Sequence, residues 1–240
     1  MPRPRHDARA VALAATALAL VCALALALSA ISDAADSKTL GNTKRSPDPA
    51  CPKDTNRNPC IAVGTVTAFQ AEADGKERLM RTPENGRLVG WAVDLSKLRE
   101  KQREFFGSRD IYGNQRYGSS PTARIAVLKG VQGPNYRLKQ QSPVVELGPL
   151  LGRKQFITLN DPLPIDKGEV LALTYPTYAP NLALDVKANQ NQWRASRESG
   201  KCSDNKATKA DPQQRVGSTR EYGCDFETRV LYWGYYVPNR

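Results

Sequence analysis

The feature that most narrows the fold is a succession of short runs in which apolar and polar residues alternate, each closed by Gly, Pro, Asn or Asp. Alternation with period two puts neighbouring side chains on opposite faces of a strand. Residues 63–69 (VGTVTAF) alternate in this way. Residues 87–96 (RLVGWAVDLS) are expected to place Val89, Trp91, Val93 and Leu95 on one face. Residues 124–129, 136–141, 144–147, 156–159, 169–175 and 229–237 continue the series, with Ser142-Pro143, Asn160-Asp161-Pro162 and Asp166-Lys167-Gly168 as breaks. Short strands with this punctuation predict an all-β chain, an antiparallel β-sandwich of jelly-roll-like form.

One segment departs from that period. Residues 96–106 (SKLREKQREFF) are good helix formers that begin at Ser96 and end at Gly107, and predict a short inserted helix docked by Leu98, Phe105 and Phe106. Residues 107–121 and 181–223 read as long irregular loops, the second containing Cys202.

The N-terminus predicts export. Arg3, Arg5 and Arg9 precede an uncharged Ala/Leu/Val-rich run over 10–28, and Ser32-x-Ala34 offers small residues for a peptidase. That is a secretory signal peptide over 1–34, or an uncleaved N-terminal anchor helix through 10–28; the Ala-rich, mildly apolar run favours cleavage. Val21 beside Cys22 argues against a lipid anchor. Residues 35–60 are polar and read as a flexible tether ending in a disulfide loop, leaving 61–240 as a single domain.

Once 1–34 is removed, four cysteines remain. In an exported chain they predict two disulfides. Three pairings are possible. The local one, Cys51–Cys60 with Cys202–Cys224, is expected because each pair encloses a polar stretch that burial alone would not order.

The chain holds one histidine, His6, inside the expected signal segment. A mature domain without histidine has no Ser-His-Asp or Cys-His catalysis and no His-ligated zinc. No CxxC and no Asp-rich calcium loop is present, so no metal or cofactor is expected. The catalytic route left is a carboxylate pair, as in glycoside hydrolases. Asp94, Glu146, Asp161, Asp166, Glu169, Asp185, Asp225 and Glu227 are available, and no spacing singles out two of them.

Several segments together are familiar: GWAVDLS, the Phe105-Phe106 helix, IAVLKG, QSPVVEL, PLPIDKGEVLALTYPTYAP, a late GKC and YGC, and a terminal RVLYWGYYVP. Over 61–240 the chain resembles a group of exported β-sandwich proteins of high-GC bacteria that has no assigned activity. PLPIDKGEVLAL also looks like the ligand-binding jelly-roll modules of extracellular proteins, a likeness of fold that says little about ligand. The resemblance carries no functional residue across.

Tyr175, Tyr178 and Trp193 lie among polar residues at a strand end and in irregular chain, where aromatic faces can stack on sugar rings or can anchor the loop. The formal charge is +11, and +10 without 1–34, which suits an anionic envelope polymer or glycan or merely keeps the domain soluble. No nucleic-acid motif accompanies it. The expectation is therefore an exported, non-catalytic binding or surface module for carbohydrate or another anionic envelope component. The alternatives are a carboxylate-dependent glycoside hydrolase on the same fold, and a structural envelope protein tethered by an uncleaved helix.

Overall fold

The computed structural model describes residues 37–50, 63–107, 117, 118, 120–202 and 211–239. All belong to one compact unit, Ser37–Arg240. The expected signal segment, Cys51 and Cys60 lie outside the described residues.

The chain is all-β with one short helix among the described residues. In order, the elements are β1 (Lys38–Leu40), β2 (Val63–Ala73), β3 (Lys76–Glu77), β4 (Gly86–Asp94), α1 (Glu100–Gly107), β5 (Thr122–Gly130), β6 (Asn135–Gln141) and β7 (Val145–Glu146). They continue with β8 (Lys154–Ile165), β9 (Val170–Ala179), β10 (Leu182–Ala183), β11 (Asn191–Ala195), β12 (Thr219–Glu221), β13 (Cys224–Phe226), β14 (Arg229–Val230) and β15 (Tyr232–Pro238).

The strands form two main antiparallel sheets. One runs β1-β15-β4-β8. The other runs β12-β6-β5-β9-β2-β11-β13, with β3 beside β2 and β7 beside β5. A small β10-β14 pair lies apart from both. Leu88, Trp91 and Tyr236 from the first sheet share one buried cluster with Val66, Leu128 and Leu173 from the second. Tyr232 ties the two layers: its hydroxyl donates to the Leu171 carbonyl at 2.8 Å and accepts from the Gln70 amide at 3.3 Å. Gly234 lets them approach, since a Cβ there would meet Leu171 Cδ2 at 2.1 Å.

Three sequence expectations change. In β4 the buried face carries Leu88, Trp91 and Val93, and not Val89, because the register with β8 shifts between Leu88 and Gly90. A bulge puts residues three apart on the same face. Part of the expected tether is docked: β1 pairs with β15, Leu40 is buried, and Arg229 donates to Thr43 Oγ1 at 2.7 Å. The expected loop 181–223 contains β10, β11 and β12, and β11 sits between β2 and β13 inside the larger sheet.

The inserted helix is present and shorter than expected. It starts at Glu100, where Gln102 Oε1 accepts from the Arg99 amide at 2.8 Å. Leu98 and Phe106 are buried against Tyr178. β8, twelve residues long, is an edge strand and carries Pro162 and Pro164. The Cys202–Cys224 disulfide is formed as expected, with S–S 2.04 Å and Cα atoms 5.5 Å apart.

Candidate functional site

The three aromatic residues expected to face a ligand are all buried, and each has a packing role. Tyr175 is fully buried and its hydroxyl accepts from Asn181 Nδ2 at 3.0 Å; burial pushes its phenol well above the usual range. Tyr178 stacks on Phe106, ring centroids 4.3 Å apart. Trp193 stacks on Phe226 at 4.4 Å and donates from Nε1 to Thr228 Oγ1 at 2.7 Å. The expected sugar-stacking platform is corrected by this burial. The physical reason is that TYPTYA continues β9 as far as Ala179 and NQWRA forms β11, so all three rings sit on sheet strands and not on a loop.

The last strand resolves in the same direction. Trp233, on the opposite face from Tyr232, is buried beside Ala183 and Leu231, with Val186 against it. The Lys154 ammonium lies 3.5 Å from its ring centroid. Next to it Phe156 is 48% exposed and meets the half-buried Tyr235 edge to face at 5.0 Å. Phe156 is the one exposed Phe or Trp among the described residues.

The carboxylates named from the sequence are scattered. Asp225 pairs with Arg194 at 3.0 Å, although the Arg194 Nε–H does not point along the contact. Glu146 accepts from Ser120 Oγ at 2.7 Å, and Glu169 accepts from the Asp166 amide at 2.9 Å. Burial raises the Asp94 carboxyl, and Lys154 partly opposes the shift.

The structure brings together a different set. On the larger sheet, a groove of about 300 Å³ opens where the β2–β3 hairpin meets β9 and β11. That volume is at the small end of ligand sites, which run from ~300 to 1,000 Å³. Its buried base is apolar, formed by Phe69, Tyr136 and Val170. Three arginines line it: Arg78, Arg81 and Arg194. Two carboxylates, Glu72 and Glu77, and the amide of Gln192 also line it.

Local sequence explains the arrangement. Asp74 and Gly75 both have positive φ, 52° and 73°, which makes a two-residue hairpin turn of the primed kind. The turn sets the register Ala73 opposite Lys76 and Glu72 opposite Glu77. Phe69 and Arg194 are direct cross-strand partners, so the arginine side chain rises beside the ring. A register shift between Gln192 and Trp193 separates Gln192 from the regular ladder. Arg81 donates to the Gly168 carbonyl. Phe69 is packed against Tyr136 at 5.0 Å and Tyr222 at 5.5 Å. The Tyr222 hydroxyl donates to Gln213 Oε1 at 2.8 Å, two residues from the Cys224 disulfide.

Planar polar side chains lining a groove can engage neighbouring hydroxyls in pairs. Sequence reading singled out none of these residues. The signal that could have found them is Asp74-Gly75, which extends the strand past Phe69 and pairs Glu72 with Glu77.

No group of three or more potential metal ligands occurs among the described residues. No helix of those residues is long and apolar enough to cross a membrane. No family model, curated protein or solved structure matches the chain.

Proposed function

We propose that the protein is an exported, non-catalytic binding module with a jelly-roll-like sandwich, which takes a carbohydrate or another anionic envelope component in the β2–β3–β11 groove. The observation that carries this reading is the gathering of Arg78, Arg81 and Arg194 along the 300 Å³ groove. The excess of basic over acidic residues supports an anionic partner through long-range attraction. The basic, then apolar, N-terminal segment and the Cys202–Cys224 disulfide support export.

The test is sedimentation of the protein with isolated cell-envelope fractions, compared with Ala71→Phe. Ala71 lines the groove and is half-buried, so the larger side chain fills the space without removing a polar contact. Binding by the wild type and loss in the filled variant are expected. Retained binding in Ala71→Phe moves the site elsewhere, and no binding to any fraction ends the module reading.

A second reading, a glycoside hydrolase, is favoured by one observation. Glu72 and Glu77 are direct cross-strand partners in the same groove. Such partners have Cβ atoms about 4.5–5.5 Å apart, and retaining glycosidases hold their two carboxyl groups ~5–5.5 Å apart. Release of reducing sugar from an envelope polysaccharide, abolished separately by Glu72→Gln and Glu77→Gln, would establish it. Unchanged polymer after prolonged incubation would exclude it for that substrate.

A further inference from the structure

We infer that Arg78 is the residue that reads an acid group on the ligand, and that the groove therefore takes a glycan bearing a carboxylate or phosphate in preference to a neutral one. This rests on the binding-module reading of the groove.

The first observation is backbone geometry. Arg78 has φ +61°, in the left-handed region that Gly, Asn and Asp enter most easily. Two other non-glycine residues among the described ones share that sign, and the chain accounts for each. Asp74 belongs to the Asp-Gly hairpin turn, and Thr65 lies where the β2–β9 register shifts between Gly64 and Val66. Arg78 leaves the hairpin: its amide donates to the Ala71 carbonyl at 3.1 Å, and its own carbonyl accepts from the Arg81 amide at 2.9 Å. Both bonds are main-chain bonds that Gly or Asn would make equally well. Nothing in the turn calls for a long cationic side chain. Strained non-glycine residues cluster at ligand sites.

The second observation is the pairing of the cations. Arg81 is committed to the Gly168 carbonyl and Arg194 to Asp225. The Arg78 guanidinium makes no hydrogen bond or ion pair among the described residues, and it is exposed at the groove. A guanidinium fork matches the two oxygens of a carboxylate or phosphate.

The third observation is the company it keeps. Glu72 and Glu77 repel a bare anion and accept from hydroxyl groups. The groove as a whole therefore suits a molecule with an acid group at one end and hydroxyls beside it. A sugar acid or a sugar phosphate has that pattern, and inorganic phosphate lacks it.

The experiment uses the full chain with four probes: polygalacturonate, its fully methyl-esterified form, a phosphomannan and inorganic phosphate. Arg78→Gly and Arg78→Asn are compared with wild type, and the unfolding temperature of each is recorded. The wild type is expected to bind one of the acidic polymers at least tenfold tighter than the esterified one, and to bind inorganic phosphate far more weakly. Which acidic polymer it prefers identifies the carboxylate or the phosphate source. Both variants are expected to lose the acid preference, with unfolding temperatures equal to wild type or a few degrees higher. If either variant keeps the preference, or wild type binds acidic and esterified polymers alike, the role of Arg78 is overturned while the module reading stands. If no polymer binds, the inference falls, and the sedimentation assay with envelope fractions decides the module reading separately. A clearly lower unfolding temperature in both variants would show the arginine to be a structural residue and overturn the inference.

Discussion

Phe106 of α1 lies flat on Tyr178 of β9, with ring centroids 4.3 Å apart and planes 9° from parallel. The stack is the main seat of the inserted helix, closed by Leu98 and flanked by Phe105 and Tyr117. Tyr178→Ala should cost about 3 kcal/mol, the low end for a buried aromatic. Polymer binding in the groove should not change. Chemical denaturation and a binding isotherm on the same variant check this; weakened binding at wild-type stability would return Tyr178 to the site.

Gly234→Ala should be among the most damaging single-methyl changes in the chain. The added carbon would lie 2.1 Å from Leu171 Cδ2 and 3.2 Å from Leu88 Cδ1, both in the core between the sheets. Overpacking of this kind costs roughly 1–3 kcal/mol. A thermal melt indistinguishable from wild type would mean that the sheets can separate at this point at little cost.

Removal of the Cys202–Cys224 bond by a double Ser substitution should lower stability by roughly 2–4 kcal/mol, typical for a bridge of this kind. It spans 22 residues of largely polar chain, and Cys224 is fully buried opposite Ala195. Tyr222 backs the Phe69 ring, so groove binding should weaken with it. The check is denaturation and binding with and without reductant. Equal binding in both states would show that the groove base does not depend on the bridge.

Glu221 gives the same region an acid sensitivity. It accepts from Ser199 Oγ at 2.7 Å and from the Ser199 amide at 3.1 Å, and these bonds hold its carboxyl below the usual carboxylate range. Unfolded, a glutamate titrates near ~4.3. The stabilisation is therefore complete above that value and is lost as pH falls through the lower folded value. Unfolding temperatures recorded from about pH 6 down to about pH 2 should fall more steeply for wild type than for Glu221→Gln. Parallel curves would show that the carboxylate does not contribute.

Much of the sheet was legible because burial writes a period of two. The runs around Trp91, Ile125, Leu138, Leu173 and Trp233 are all strands, and the Leu98–Phe106 segment docks as a helix. Two kinds of feature were not legible. Bulges act through backbone register, so the pattern RLVGW gives no sign that Leu88 shares a face with Trp91. Polar strands also escape a hydrophobicity argument. NQWRA places Asn191 and Trp193 in buried positions while Gln192 and Arg194 meet the groove, and its polarity imitates a loop. The same polarity made Tyr175, Tyr178 and Trp193 look exposed. The groove was missed for a third reason: its charged members come from β2, the following hairpin and β11, which sequence spacing does not connect. Only the Asp74-Gly75 turn, a short-range signal, brings Glu72 and Glu77 together.

The prolines of β8 bear on life at high density. Pro162 and Pro164 have no N–H, so this margin lacks donors at two positions where a strand from a neighbouring molecule would seek them. At high concentration a protein is brought repeatedly against copies of itself. With that margin blunted, such collisions are less able to end in strand pairing along β8.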